Sequence, residues 1–199
     1  MSIKYDVDYF HKTYSLTLPH TEIVEAAESI KPCSAFDLGC GQGRNSLYLS
    51  SLGFDVTSVD VNSNSINFLQ DVIAKEGINN IQSSVYDINL AKIEGQFDFI
   101  FSTVVFMFLE KNRVPVIIQN MQEHTNVGGY NLIVSAMDTE QYPCDQGFSF
   151  AFKEGELNNY YRDWEIVKYN EEVGELHRLD AHGNRVKLQF ATLLAKKLS

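Results

Sequence analysis

The stretch that decides the fold is Ala35–Arg44, with the sequence AFDLGCGQGR. A short apolar run meets an acid, three alternating glycines follow, and an amphipathic segment continues over Asn45–Ser51. Because glycine has no Cβ, it accepts a positive φ and lets a ligand approach the backbone closely. A helix that starts after such a loop presents free N–H groups to a carboxylate or phosphate. The stretch therefore predicts a buried strand, a tight loop and a helix start.

The spacing of the glycines narrows the choice of ligand. A dinucleotide fingerprint is G-x-G-x-x-G, whereas here the third glycine comes one residue earlier, as Asp37-x-Gly39-x-Gly41-x-Gly43. No Gly-Lys-Ser/Thr follows, which excludes a Walker phosphate loop. This compact form resembles motif I of class I S-adenosylmethionine (SAM)-dependent methyltransferases. The alternative is a glycine-rich turn without a ligand, but three glycines at one strand end are costly without a reason.

The composition limits the class of protein and its partners. The 199 residues fit a single domain, 1–199, and 44% of them are hydrophobic, enough for a sizeable core. The net charge of −10 argues against nucleic-acid and anionic-membrane partners. The three cysteines form no C-x-x-C, so we expect no metal site and a reducing compartment. Without a signal-peptide pattern, or a run near the roughly 20 apolar residues of a membrane helix, we expect a cytoplasmic protein.

Strands and helices alternate along most of the chain. We expect strands at Ala35–Leu38, Phe54–Asp60, Ile81–Tyr86, Phe97–Ser102 and Tyr130–Ala136, and helices at His20–Ile30, Asn45–Gly53, Asn62–Gly77 and Asn112–Thr125. Alternation of this kind implies a mostly parallel, doubly wound sheet covered on both faces. Two later β-rich segments, Trp164–Tyr169 and Lys187–Leu194, flank a turn and predict an antiparallel pair at the sheet edge. The predicted fold is therefore α/β, a single Rossmann-like domain of the class I methyltransferase type.

The N-terminal residues 1–19 are aromatic and polar without a clear period. They fit a flexible arm or lid as well as they fit a packed N-terminal extension. The sequence leaves this choice open, together with the oligomeric state.

Acidic and hydroxyl side chains lie where the predicted parallel strands end, at Asp37, Asp60, Asp87 and Ser102–Thr103. Open parallel sheets bind ligands at this edge. Unpaired acids there would repel one another, whereas SAM offers an ammonium, a sulfonium and ribose hydroxyls to compensate them. SAM is therefore the predicted cofactor.

The resemblance to class I methyltransferases implies a role for each of these residues. Asp37 lies near the methionine end of SAM, and Asp60 accepts from both ribose hydroxyls. Arg44 either faces the cofactor carboxylate or caps its helix. The remaining cofactor contacts that the resemblance implies are the loop glycines Gly39, Gly41 and Gly43, an adenine sandwich by Val61 and Ile88, an exocyclic-amine acceptor at Asp87, and the backbone near Thr103.

Two rival classes fit the sequence less well. Nucleotide dehydrogenases also use an acid after the second strand, but they need the wider glycine spacing. Amino-methylating nucleic-acid enzymes carry an Asp/Asn-Pro-Pro-aromatic motif after the fourth strand, where this chain reads Ser102–Val105 without proline. Together with the charge, this disfavours a nucleic-acid amine as the methyl acceptor.

A basic cluster in the C-terminal half is the candidate acceptor site. The segment Glu175–Arg185 places two arginines and two histidines across one turn. Arginine binds oxyanions through two parallel hydrogen bonds, and histidine can donate to the same anion or take a proton. The alternative is a solvent-exposed hairpin tip whose arginines pair with Glu175 or Asp180.

The whole chain resembles the TehB-type tellurite-resistance methyltransferases. The segments that carry the resemblance are Cys40–Leu49, Ser102–Glu110, Gly128–Thr139, Tyr142–Cys144, Phe150–Leu157, Lys168–Glu171, Gly174–Arg178 and Gly183–Arg185. The first is generic to the superfamily, and the later ones are specific. One position departs, because the residue after Asp60 is often polar in that family and is Val61 here.

That resemblance implies a small-molecule enzyme. It implies methylation of tellurite or selenite with SAM, the oxyanion being held by Arg178 and Arg185 with His177 beside it. Two alternatives remain: a methyltransferase for another small acceptor, such as a thiol or a carboxylate, and a non-enzymatic SAM-binding stress-response module.

Overall fold

The computed structural model describes residues 5–179 and 183–199, and it describes the backbone but not the side chains of residues 177–179. Its helices are α1 Tyr9–Tyr14, α2 Thr21–Ser29, α3 Arg44–Ser51, α4 Ser63–Glu76, α5 Val114–Glu123 and α6 Glu156–Tyr160. Its strands are β1 Ser34–Leu38, β2 Asp55–Asp60, β3 Ile81–Val85, β4 Phe97–Thr103, β5 Thr125–Ala136, β6 Glu165–Leu179 and β7 Arg185–Lys196. The helices and strands predicted from the sequence are therefore confirmed, with differences at their ends.

The strands are hydrogen-bonded in the order β3-β2-β1-β4-β5-β7-β6. The pairs β2–β3, β1–β2 and β1–β4 are parallel. The pairs β5–β7 and β6–β7 are antiparallel. The predicted Rossmann-like sheet, mostly parallel with an antiparallel C-terminal edge, is confirmed.

Contacts divide the chain into two compact units. The first runs to Ile88 and includes Gln96–Phe101, and the second comprises Asn89–Gly95 and the chain from Ser102 onwards. The expectation of one domain over the whole chain stays a prediction. The predicted cofactor-binding residues lie in the first unit, apart from Thr103, which lies in the second.

Helix α4 of the first unit shows why the local sequence folds as it does. The side chain of Asn62 accepts hydrogen bonds from the backbone N–H groups of Asn64 and Ser65, which satisfies donors that the helix itself leaves unpaired. At the other end Gly77 adopts φ 64°, the left-handed conformation that closes many helices. Between them Ile66, Leu69 and Val72 are buried on one face. Both predicted ends of this helix are confirmed.

In the second unit the strands are longer than the segments predicted from the sequence. Strand β5 begins at Thr125 and not at Tyr130, because Gly128 and Gly129 exchange backbone hydrogen bonds with Lys197 and so extend the ladder. The hairpin of β6 and β7 continues to the pair Leu179–Arg185. Along the outer part of β7, Val186, Leu188 and Phe190 alternate with polar residues and pack in an apolar cluster with Met107 and Ala136.

A buried polar network holds β5 against α5 and α6. The Tyr161 hydroxyl donates to Asn131 Oδ1 at 2.9 Å, and Asn131 Nδ2 donates to Thr125 Oγ1 at 2.7 Å. Thr125 Oγ1 in turn donates to the carbonyl of Met121 at 2.7 Å. Each of these three buried side chains therefore has a hydrogen-bond partner, which is what burial requires.

Candidate functional site

The glycine loop between β1 and α3 has the conformation that its sequence predicts. Gly39, Gly41 and Gly43 adopt φ values of 91°, 53° and 88°. A Cβ added to Gly43 would lie 2.4 Å from Leu69 Cδ1, whereas one added to Gly41 would meet nothing within 4 Å. Gly43 is therefore required for packing against α4. Gly41 faces open space, which leaves room for a ligand beside the backbone.

The carboxylate of Asp60 joins the end of β2 to this loop. Its Oδ2 accepts from the backbone N–H of Gly41 at 2.8 Å, and its Oδ1 accepts from Asn62 N–H at 2.8 Å. A carboxylate has about four acceptor positions, so each oxygen keeps one for a further donor such as a sugar hydroxyl. The sequence predicts Asp60 as a ribose acceptor, and the structure adds that the same group holds the loop.

Asp37 is a buried acid under the loop, with 1% of its surface exposed. Ser46 Oγ donates to its Oδ2 at 2.6 Å, and Ser58 Oγ donates to Ser46 Oγ at 2.9 Å. Burial raises the pKa of Asp37 to about 7, although the Ser46 hydrogen bond and the charge of Arg44 act to lower it. A cation beside Asp37 would lower this pKa again by favouring the ionised carboxylate. Sequence reasoning missed both serines, since nothing in their local spacing marks them.

Arg44 is the first residue of α3 and lies directly after Gly43. Its guanidinium donates to the carbonyl of Leu18 at 3.3 Å and to Thr17 Oγ1 at 3.4 Å. Burial lowers its pKa, while the charge of Asp37 acts to raise it. The predicted contact of Arg44 with the cofactor carboxylate stays a prediction. The two hydrogen bonds connect the glycine loop to the N-terminal segment.

The other predicted cofactor residues lie at strand ends. Val61 directly follows β2 and is 66% exposed, a position open to a flat ligand such as adenine. Asp87 is exposed and Ile88 is buried, both just after β3. Because β1, β2 and β3 are parallel neighbours, these residues share one sheet edge with the glycine loop. Thr103 is buried at the end of β4, in the second unit.

The predicted acceptor residues lie in the hairpin of β6 and β7. Arg185 opens β7 and is exposed. The backbone of His177 and Arg178 belongs to β6, but their side chains, like residues 180–182, lie outside the part that the structure describes. Arg185 lines a cavity of about 750 Å³, whose other lining residues are Asp145, Gln146, Glu175, Asn184, Val186 and Lys187.

Lys187 is a cation of this cavity that sequence reasoning missed. It stands two residues after Arg185 on β7, so both side chains leave the same face of the strand. Glu175 lies opposite Lys187 across the strand pair. Among the described side chains, Arg185 and Glu175 form no ion pair, so the predicted pairing of an arginine with Glu175 does not occur for Arg185. The spacing Arg-x-Lys on a strand was the available signal.

Comparison with known proteins identifies the family. A family described as "Tellurite resistance protein TehB" matches residues 1–194. The chain belongs to the TehB family. A curated relative named a probable SAM-dependent methyltransferase TehB, from Haemophilus influenzae (strain 10810), is 61% identical over 190 residues, which are 96% of this chain and 66% of that protein. The chain thus spans slightly less than two thirds of that relative.

Solved structures show the same fold. The crystal structure of TehB from Haemophilus influenzae matches with a TM-score of 0.93 and 60% identity, covering 96% of this chain and 66% of that one. A structure described as a SAM-dependent methyltransferase from Methanosarcina mazei matches with a TM-score of 0.68 at 21% identity, over 92% of this chain and 100% of that one. The family resemblance and the class I fold predicted from the sequence are confirmed. Among the described residues, no helix has the length and apolarity of a membrane span.

Proposed function

We propose that this protein is a SAM-dependent methyltransferase that acts on a small chalcogen oxyanion, tellurite or selenite, and so contributes to tellurite resistance. The observation that carries the cofactor assignment is the double role of Asp60, whose carboxylate fixes Gly41 and keeps free acceptor positions beside open space. The names of the relatives support the activity. The net charge of −10 supports a small-molecule acceptor over nucleic acid, and three unpaired thiols support a reducing, cytoplasmic location.

The residues of the loop fit SAM in charge and shape. When bound, SAM supplies the reactive methyl group on its sulfonium, so the protein mainly positions the acceptor in line with it. Asp60 would hold the ribose through its two oxygens. Asp37 would balance the ammonium of the methionine end, which returns the buried carboxyl to its ionised form. Val61 and Ile88 would contact adenine and Asp87 its amine, while Gly39 and Gly41 would let the cofactor lie close to the backbone.

The acceptor would be held by the cavity at the hairpin. Arg185 and Arg178 would bind the oxyanion oxygens, with His177 beside them. Tetravalent tellurium or selenium keeps a lone pair that would form the new bond to the methyl carbon, while the electron pair of the carbon–sulfur bond would leave with sulfur as S-adenosylhomocysteine. Because the nucleophile is a lone pair on an anion, no general base is needed for the transfer. Lys187 would add a second positive charge at the same cavity.

The first test is S-adenosylhomocysteine release in the presence of tellurite or selenite, with methylated tellurium or selenium species detected in parallel. Replacing Arg185 by alanine should lower kcat/KM about 10- to 100-fold, the effect of losing a charge-assisted hydrogen bond worth roughly 1.5–3 kcal/mol. SAM affinity should not change. Arg162→Ala is the matched control, since Arg162 is an exposed arginine that pairs with Asp163 away from the cavity. If Arg178→Ala and Arg185→Ala both keep full turnover, the oxyanion site is wrong.

The size of the cavity favours a second candidate function. A volume of about 750 Å³ greatly exceeds that of a four-atom oxyanion, so a larger carboxylate acceptor would also fit between Arg185 and Lys187. A competition assay over thiols, carboxylates and chalcogen oxyanions separates the two acceptor classes. Tight SAM binding without product from any acceptor would instead support a binding module that carries out no transfer.

A further inference from the structure

The N-terminal segment Tyr5–Leu18, here called the strap, is fastened to helix α4 by one carboxylate. Glu76, the last residue of α4, accepts hydrogen bonds from three tyrosine hydroxyls. Tyr9 and Tyr14 donate to its Oε1 at 3.0 and 2.5 Å, and Tyr5 donates to its Oε2 at 3.2 Å. These three hydrogen bonds, here called the latch, come from three positions in a short segment and meet at one carboxylate.

Apolar packing supports the latch. Tyr5 and Phe10 are buried, with ring centroids 5.0 Å apart, and Leu16 is buried further along the strap. The hydrogen bond to Glu76 raises the pKa of Tyr14 to about 12, so its hydroxyl stays protonated and donating at neutral pH. The strap is therefore an ordered part of the first unit over its described residues.

The other end of the strap reaches the glycine loop. The carbonyl of Leu18 and the hydroxyl of Thr17 accept from the Arg44 guanidinium. Two residues beyond the strap, the backbone N–H of His20 donates to Asn45 Oδ1 at 2.9 Å. Arg44 and Asn45 are the first two residues after the loop. The strap thus connects the C-terminal end of α4 with the residue that follows Gly43.

We propose that Glu76 is a positioning residue for cofactor binding: it fastens the strap, and the strap holds the Arg44 guanidinium beside the loop. A long arginine side chain loses rotamer freedom when it is ordered, and freedom lost before binding is not lost again when the ligand binds. With the latch open, Arg44 would have to be ordered by the cofactor itself. This inference rests on the proposed function, because it takes SAM as the ligand.

The experiment measures strap release and SAM affinity on the same variants. Glu76→Ala should speed tryptic cleavage after Lys12, an exposed residue in the strap, and should raise the SAM dissociation constant about tenfold in calorimetry. Glu76→Gln should restore most of the affinity, because its amide oxygen can still accept from Tyr9 and Tyr14. Asp71→Ala, which removes an exposed acid from the same helix, is the control and should leave both measurements unchanged.

A second background separates positioning from a general structural effect. If Glu76 acts through Arg44, then Glu76→Ala should weaken SAM binding far less in an Arg44→Ala protein than in the wild type. Equal losses in the two backgrounds would overturn the inference. So would unchanged cleavage, or unchanged SAM affinity with faster cleavage. If Glu76→Ala does not fold, the double variant Tyr9→Phe/Tyr14→Phe removes two donors while keeping the rings, and the same criteria apply.

The proposed function and this inference fail in different ways. A wild-type protein that binds no SAM would overturn the proposed function. A wild-type protein that binds SAM, with variants at Glu76 that bind it equally well, would overturn the positioning role alone.

Discussion

Replacing Asp37 by asparagine should change how folding stability depends on pH. Burial raises the pKa of Asp37 from 3.8 to about 7 in the folded protein. The folded state therefore binds this proton more tightly than the unfolded state does. The resulting stabilisation is complete below pH 3.8, falls as the pH rises, and is lost once the pH passes about 7.

The magnitude follows from the width of that window. A difference of about three pH units, at about 1.4 kcal/mol for each, corresponds to about 4 kcal/mol between the two ends. Because an asparagine does not titrate, its free energy of unfolding lacks this decline. Between pH 5 and pH 8 the variant should gain about 2–3 kcal/mol relative to the wild type. Its amide oxygen can still accept the hydrogen bond from Ser46.

The assay is urea unfolding of both proteins, without SAM, at several values between pH 5 and pH 8. Ser46→Ala provides a companion variant, since the Ser46 hydroxyl stabilises the ionised form and its removal should raise the Asp37 pKa further. In the Asp37→Asn background the same serine change should have no pH-dependent effect. A difference between Asp37→Asn and wild type that stays constant from pH 5 to pH 8 would refute the reasoning.

Two further substitutions test the packing around the site. Gly43→Ala should destabilise the protein by about 1–3 kcal/mol, because the new Cβ would collide with Leu69 and the residue has a left-handed φ. Gly41→Ala is the control, since its φ is also positive but its Cβ would meet no neighbour. Thermal unfolding of the two variants compares these costs directly. Tyr161→Phe should cost about 1–3 kcal/mol in denaturant unfolding by leaving buried Asn131 Oδ1 unpaired, and a cost near zero would count against the network.

Much of the fold could be read from local patterns. Asn62 and Gly77 bound α4 because capping depends on a few adjacent residues. The spacing of Gly39, Gly41 and Gly43 predicted a loop of positive φ, since that preference belongs to glycine itself. The hairpin ends were less predictable. Strand β6 continues beyond Tyr169 because it is paired with β7, although Glu172 and Gly174 are residue types with low strand propensity.

In the candidate site as well, the sequence predicted some features and the structure alone supplied others. The sequence identified Asp37, Asp60 and Arg44 by position, and their partners followed only from the structure. For Arg44, the structure adds hydrogen bonds to Thr17 and Leu18, and its predicted contact with the cofactor carboxylate stays a prediction. The roles of His177 and Arg178 in holding the acceptor stay predictions, because their side chains lie outside the described part of the structure.

The sequence by itself determined the kind of loop, the alternation of strands and helices, and the acids at the strand ends. Each of these is set by residues within a few positions of one another. Only the tertiary structure decided three sets of hydrogen bonds. Asp60 accepts from Gly41, Ser46 donates to Asp37 and accepts from Ser58, and Glu76 accepts from three tyrosines. These bonds join residues between 9 and 71 positions apart. They form only where the packed sheet and helices bring their atoms together, and the preferences of neighbouring residues do not determine which distant residues come into contact.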